Sequence, residues 1–292
     1  MNSRGFTLIE IIVTLAIVSI LVGIIVPFSY RAWEASEINL TIERMEVLKN
    51  AMTGDPAYYQ QGIPTSFGFV GDNGELPATL ADLLTDQRSY PNWNGPYLGT
   101  GIDPRSYAED AWGEPIGYET FVDALGRRVA ASLTSKGPDR IAGTSDDLDA
   151  ASAPTVQVSQ ADVTPTDTVQ GNLAYSISVS EYDETPVYSA TLHVRYRDAG
   201  GEATMSLAEC IPLDIGLVQK LVPRSGTTGF AGNFPAALPI GGALLSSRLF
   251  AGNSCSGTPL ATTPENFTYV TPGVTTLRLT PPALYYHIDN GP

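Results

Sequence analysis

The chain has 292 residues, a length that accommodates two domains of ordinary size. Its 16 Lys and Arg residues against 31 Asp and Glu residues give a formal net charge of −15, which argues against nucleic-acid binding because such proteins present a basic face. Two cysteines are too few for a disulfide scaffold or a four-thiolate metal site, and two histidines leave little for general-base or zinc chemistry. The 28 Gly and 22 Pro favour turn-rich β structure over much of the length.

An apolar run occupies residues 6–28, and its only ionisable side chain is Glu10. About 20 apolar residues suffice for a helix to cross a bilayer, and Arg4 before the run predicts a cytoplasmic N-terminus. A cleaved secretory signal is one alternative, but the run continues to Val26 without a small-residue cleavage site. A plain signal anchor is a second alternative, and it leaves the carboxylate of Glu10 in hydrocarbon unexplained, at a cost of about 2.5 kcal/mol or more.

A third interpretation rests on the order of residues at the N-terminus. Met1-Asn-Ser-Arg-Gly5 followed by Phe6-Thr-Leu-Ile-Glu10 closely resembles the leader and cleavage site of type IV pilins and type II secretion pseudopilins. The resemblance implies that residues 1–5 are a leader, that a prepilin peptidase cuts between Gly5 and Phe6, and that Phe6 becomes N-methylated. We expect Glu10 to neutralise the Phe6 amine of a neighbouring subunit during filament assembly, because each charge alone is costly in lipid.

The periodicity stays helical beyond the apolar run, with one apolar stripe between Ser29 and Met52. Gly54-Asp55-Pro56 predicts its end, so residues 6–53 form one transmembrane and filament-core helix of about 70 Å. Pro27 lies where the long helix of the resembled family is often kinked. The stripe is expected to pack on a head.

Residues 54–150 are expected to form that head, with a short helix at 77–84 and strands at 118–122 and 129–134. Two segments resemble the major pseudopilin of type II secretion: Trp93-Asn-Gly-Pro-Tyr97 and Asp110-Ala-Trp-Gly-Glu-Pro-Ile-Gly-Tyr118. The second departs from the family pattern at Ala111, where proline is usual. The resemblance implies a small pilin-like α/β head.

A Gly-rich acidic loop follows at residues 135–149. By itself it is either a solvated loop or a site for a hard cation, since crowded carboxylates repel one another and Ca²⁺ takes several oxygen ligands. Its spacing excludes an EF-hand. The resemblance to major pseudopilins implies a bound Ca²⁺, with Asp149 either a further ligand or a residue beside the ligands. The implied ligands are the side chains of Asp139, Asp146 and Asp147 and the backbone carbonyls of Lys136 and Ala150.

After a linker at residues 150–155, the family resemblance ends and residues 155–292 alternate strongly between apolar and polar side chains. The alternation predicts an antiparallel β-sandwich, Ig-like or transthyretin-like. Cys210 and Cys255 are expected either to form one disulfide or to remain separate thiols. His193 is expected on the solvated surface, and His287 in strand packing or at a rim. The predicted strands are 173–182, 188–197, 243–250, 266–270, 275–279 and 284–288.

The predicted fold class is therefore α+β: a long N-terminal helix, a small α/β head and an all-β sandwich. The resemblance implies a non-enzymatic subunit of a type II secretion pseudopilus in the inner membrane, with cytoplasmic N-terminus and periplasmic head. Implied partners are copies of itself, the prepilin peptidase, other pseudopilins, a platform protein and an assembly ATPase. The alternative is a type IV pilin or minor tip pilin whose β domain binds a surface or cargo. A membrane-anchored hydrolase is disfavoured because neither histidine has a recognisable nucleophile partner.

Overall fold

The computed structural model describes residues 8–55, 57–60, 63–99, 105–165, 167–179, 188–213, 224–272 and 287–288. A long N-terminal helix carries a small head on its second half, and a largely β region with antiparallel sheets follows. This arrangement confirms the predicted α+β class. The strand expected at 275–279 lies outside the described residues.

Helix α1 runs from Leu8 to Thr53 without interruption, through Pro27. Proline lacks an amide hydrogen, so one backbone hydrogen bond is lost inside the helix. The helix ends at Gly54, whose φ of +89° favours glycine and whose N–H donates to the carbonyl of Asn50 at 2.8 Å. A side chain at Gly54 would also collide with the backbone of Ser66.

The head is assembled from short elements that pack on the second half of α1. A hairpin of strands at Gly117–Val122 and Arg128–Thr134 confirms the two strands expected there. The expected short helix is a 3-10 turn at Leu80–Leu83 capped by Thr79 and Asp82. The remaining elements include a 3-10 turn at Pro154–Val156. In chain order the labelled elements are β1 (Tyr59–Gln60), β2 (Ile63–Pro64), α2 (Gly68–Asn73), α3 (Arg105–Ala108), β3 (Gly117–Val122), β4 (Arg128–Thr134) and α4 (Gln160–Val163).

The head core extends further along the chain than the sequence indicated. Val156, Val158 and Val163 are buried in the same cluster as Met45 and Leu48 of α1. The N–H of Val158 donates to Ala131 of β4, and Ala131 returns a bond to Val158. The head therefore continues through residue 163, whereas the sequence placed the start of the β domain at residue 155.

Among the described residues, the β region comprises nine strands in two sheets. The strands are β5 (Thr168–Val179), β6 (Tyr188–Asp198), β7 (Gly201–Ser206), β8 (Ile211–Leu213), β9 (Arg224–Asn233), β10 (Gly241–Ala251), β11 (Ala261–Thr262), β12 (Asn266–Val270) and β13 (His287–Ile288). In the larger sheet, β6 and β10 pair centrally, β7 and β8 pair with the other edge of β6, and β11 and β12 pair with the other edge of β10. In the smaller sheet, β5 lies between β9 and a parallel β13.

The two sheets pack face to face as a sandwich. Val169 of β5 shares one buried cluster with Leu192 of β6 and Leu245 of β10. Leu173 of β5 shares a second cluster with Leu249 of β10. Along β10, buried side chains alternate with less buried ones, as the period of two requires, whereas β6 is largely buried on both faces.

The structure joins Cys210 and Cys255 in a disulfide, with their Cα atoms 5.7 Å apart. The bond connects the segment between β7 and β8 to the turn after β10. The expectation that His193 is solvated was wrong, because only 8% of it is exposed. His193 lies mid-sheet beside Ser206, whose hydroxyl is 2.7 Å from Nδ1. Burial, and secondarily Arg248, lowers the pKa of His193.

Candidate functional site

The first half of α1 is an apolar surface without a partner in the described fold. Its large apolar side chains from Leu8 to Phe28 are exposed, and its most apolar window has a mean hydropathy of 2.9 with none of its residues buried. The helix is long and apolar enough to cross a membrane. Such an exposed surface is consistent with a membrane anchor.

Glu10 lies within this exposed apolar half. The Thr14 hydroxyl donates to the Glu10 carbonyl at 2.9 Å, one turn along the helix. A carboxylate at this depth is costly in lipid and usually has a functional role. Gly5 and Phe6 lie outside the described residues, so their cleavage, methylation and pairing with Glu10 stay predictions.

Aromatic side chains mark the end of the apolar half. Tyr30 and Trp33 are 59% and 53% exposed, and their ring centroids are 6.1 Å apart. Arg31 lies between them in the sequence. Tyr, Trp and Arg anchor membrane helices at the membrane–water interface, so this group is suited to lie at such an interface.

The second half of α1 is attached firmly to the head. Arg44 Nη1 donates to the carbonyls of Glu109 and Asp110, each at 2.8 Å. One turn further along, Lys49 Nζ donates to the carbonyl of Gln157 at 2.9 Å. These charge-assisted bonds and the buried apolar stripe tie the head to the membrane helix as one body.

Asp110 connects the second pseudopilin-like segment to the acidic loop. Its carboxylate is buried and accepts from the N–H groups of Trp112 at 3.0 Å and Glu114 at 2.8 Å. The other oxygen accepts from the Ser135 hydroxyl at 2.7 Å, and Gly137 N–H donates to that hydroxyl. One buried carboxylate therefore fixes a turn and the start of the loop together, a role that the sequence did not reveal.

The first pseudopilin-like segment is an aromatic cluster. The Trp93 indole N–H donates to the carbonyl of Asp82 at 2.9 Å. Tyr97 meets Trp93 edge-on at 5.8 Å between ring centroids and packs similarly on buried Phe69 at 5.3 Å. These contacts support packing as the role of the segment.

The acidic loop is closed at its base by a short antiparallel bridge. The backbones of Ser135 and Leu148 exchange hydrogen bonds of 2.8 and 2.9 Å. Gly137, at φ +67°, lies so close to the backbone of Asp146 that a Cβ would not fit. The predicted ligand residues between these points are thereby held within one closed loop.

Asp139, Asp146 and Asp147 accept hydrogen bonds from the loop itself. The Thr144 hydroxyl donates to Asp146 at 2.7 Å and lies 3.3 Å from Asp147, and Gly143 N–H donates to Asp147 at 2.7 Å. Asp139 N–H donates to Asp146 at 3.2 Å. The Thr144 bond in particular lowers the pKa of Asp146, so its carboxylate stays ionised.

The loop therefore offers carboxylate oxygens of the kind that Ca²⁺ prefers. Within the described residues, however, no three His, Cys, Asp or Glu side chains are grouped so as to hold a metal ion. Asp149 accepts from the N–H groups of Ser152 and Ala151, which lower its pKa. The predicted ligand roles, including those of the Lys136 and Ala150 carbonyls, stay predictions.

Comparison with known proteins bears on the N-terminus. A family model described as the prokaryotic N-terminal methylation motif matches residues 1–26, which include Gly5, Phe6 and Glu10. No curated protein matches the chain, and no solved structure does. The matched segment is a type IV pilin-like prepilin signal, and it is continuous with the exposed apolar half of α1.

Proposed function

We propose that this chain is a structural subunit of a type IV pilus-like filament, working in a type II secretion pseudopilus that drives protein export across the outer membrane. The observation that carries the proposal is the methylation motif at residues 1–26, continuous with an apolar helix surface that no other described part of the chain covers. Copies of that surface bury one another when subunits leave the membrane and enter a filament.

Electrostatics sets the register of this assembly. Cleavage after Gly5 leaves a positive amine on Phe6, and Glu10 of the adjacent subunit neutralises it. Removing one partner of a buried ion pair costs about 3–5 kcal/mol. Each added subunit is therefore held at the one axial position where both charges are compensated.

The proposed location is the inner membrane, with the N-terminus cytoplasmic and the head periplasmic. Arg4 before the apolar run supports this orientation, and so does the disulfide between Cys210 and Cys255, a bond typical of oxidising compartments. The partners would be the prepilin peptidase, other pseudopilins, the platform protein and the assembly ATPase.

Ca²⁺ binding to the acidic loop is part of the proposal. Its ligands would be Asp139, Asp146 and Asp147 together with the carbonyls of Lys136 and Ala150. The closed loop base and the ionised state of Asp146 support it. The ion would offset the mutual repulsion of the carboxylates and stabilise a loop that is largely exposed.

The assembly proposal is tested by Glu10→Ala. We expect the variant to insert in membranes at the normal level and to yield almost no filaments, because the Phe6 amine would stay buried and uncompensated. Membrane fractionation measures the insertion, and sedimentation with electron microscopy of sheared material measures the filaments.

The matched control is Glu46→Ala, which removes an exposed acid from the water-facing half of the same helix. We expect normal filaments from it, since Glu46 is outside the apolar segment. Normal filament yield from Glu10→Ala would refute the charge-pairing mechanism.

A type IV pilin or minor tip pilin is the second candidate. It is favoured by the β-sandwich after the head, since a subunit that only fills a filament has no need of it. Deletion of the gene separates the two. Loss of protein secretion without surface fibres supports the pseudopilin, and loss of surface fibres with normal secretion supports the pilin.

A further inference from the structure

An open cleft of about 530 Å³ lies where the head meets the β-sandwich. One wall is formed by residues 65–72 and by Asn94 and Tyr97 of the head. The other wall is the outer face of the larger sheet, from strands β6, β7, β10 and β12. Ligand sites favour such junctions and this range of volume.

The two walls are fixed relative to each other by close backbone contacts. A Cβ on Gly241 would approach the Gly71 carbonyl to 2.7 Å, so the start of β10 packs directly on α2. Asn92 Nδ2 donates to the Asp198 carbonyl at 3.3 Å, and Arg127 Nη2 donates to the Ala237 carbonyl at 3.0 Å. The cleft is accordingly preformed, which lowers the entropic cost of binding.

Three of the aromatic rings that line the cleft contact one another. Tyr269 stacks on Phe67 with centroids 5.3 Å apart and an angle of 15°, and it meets Phe267 edge-on at 4.8 Å. Phe267 is 61% exposed. Its ring lies close to Gly242 on the neighbouring strand, where a Cβ would come within 2.9 Å. The chain thus keeps an apolar ring in contact with solvent at the rim of a concave site.

The charged groups of the same cleft are balanced. Its lining includes two carboxylates, Asp72 and Glu202, and two guanidinium groups, Arg195 and Arg197. Arg195 is engaged by Glu202 at 2.6 Å and by Glu265 at 2.7 Å. Arg197 in turn interacts with the charge of Asp72. Both guanidinium groups are thereby compensated, and the pairing of Arg195 fixes planar donors and acceptors in place.

Asp72 is the most enclosed of these charged groups. Its carboxylate accepts from the Tyr97 hydroxyl at 2.8 Å. Burial raises the pKa of Asp72, although the Tyr97 bond and the charge of Arg197 oppose that shift. No described residue donates to the other Asp72 oxygen, Oδ1, which is therefore suited to accept a hydrogen bond from a ligand hydroxyl.

We infer that this cleft binds a neutral oligosaccharide. A sugar ring presents apolar C–H faces to aromatic rings and hydroxyl groups to planar polar side chains, and the cleft supplies both. A lipid or an apolar peptide would desolvate four charged groups without hydrogen bonds in return. An anionic ligand would find Arg195 already neutralised. The site is separate from the apolar helix, so the inference does not depend on filament assembly.

The test is binding of the full-length protein, purified in detergent, to an array of neutral and sialylated glycans, followed by calorimetric titration of the strongest ligand. We expect neutral glycans to bind and Phe267→Ala to weaken the affinity about tenfold, since a stacking ring is lost. Arg197→Gln is expected to weaken it as well, through loss of hydrogen bonds.

The matched control is Phe121→Ala, which removes another exposed phenylalanine, 51% accessible, from strand β3 outside the cleft. We expect the glycan affinity of this variant to equal that of the parent protein. The melting temperature of each variant is measured to check that it is folded. Three results would overturn the inference: binding of sialylated glycans alone, binding of no glycan on the array, or an equal loss of affinity in Phe121→Ala and Phe267→Ala.

Discussion

Asp110 shows how a single buried carboxylate joins two parts of the head. Its two oxygens accept three hydrogen bonds, two from its own turn and one from Ser135 at the base of the acidic loop. Beside it, Lys136 pairs with Glu114 at 2.9 Å. The turn and the loop are therefore positioned together, although strands β3 and β4 separate them in the sequence.

Asp110→Ala is predicted to destabilise the protein by about 2–4 kcal/mol, because buried N–H and hydroxyl donors lose their acceptor. Urea denaturation followed by tryptophan fluorescence measures the loss. Asp110→Asn retains an acceptor oxygen and is expected to cost less. Glu119→Ala, an exposed acid on β3, is expected to stay within about 0.5 kcal/mol of the parent; a similar value for Asp110→Ala would contradict this role.

Among the elements, those with an uninterrupted local pattern were predictable. The apolar run and the stripe after it predicted α1, and the alternation around Val194 and Leu245 predicted β6 and β10. Strand β9 was not predicted because it is rich in glycine and poor in β-branched residues. Its Gly226 lies against the ring of Tyr175 on β5, a cross-strand fit that only the folded pairing reveals.

The acidic loop is the element on which the Ca²⁺ proposal is tested. We predict that EDTA lowers the melting temperature of the detergent-solubilised protein and that Ca²⁺ restores it, since binding at a hundred times Kd stabilises by about 2.7 kcal/mol. The response should disappear in Asp147→Asn and persist in Glu119→Gln. Equal melting temperatures in EDTA and in Ca²⁺ would exclude the site.

At the scale of the whole molecule, the junction between the head and the sandwich could not be predicted from the sequence. The N–H of Ile240, just before β10, donates to Val163 at the end of the head, and its side chain joins the head core. The cleft beside this junction combines Phe67 and Phe267, which lie far apart in the chain. The junction and the cleft both join residues that are far apart in the chain, so periodicity and short motifs could not predict the site.

The whole molecule is thus a membrane-competent helix that carries a head and a rigidly attached sandwich, an arrangement suited to display the sandwich on the outside of a filament. In the proposed filament, the apolar half of α1 would supply the assembly surface. That role requires that the leader be removed, because the proposed charge pairing uses the amine of Phe6.

Mass spectrometry of the N-terminal peptide from membrane-purified protein is the most direct measurement. We predict a mature chain that begins at Phe6 and carries one N-methyl group. A mature chain that retains residues 1–5 would contradict processing, charge pairing and filament assembly together.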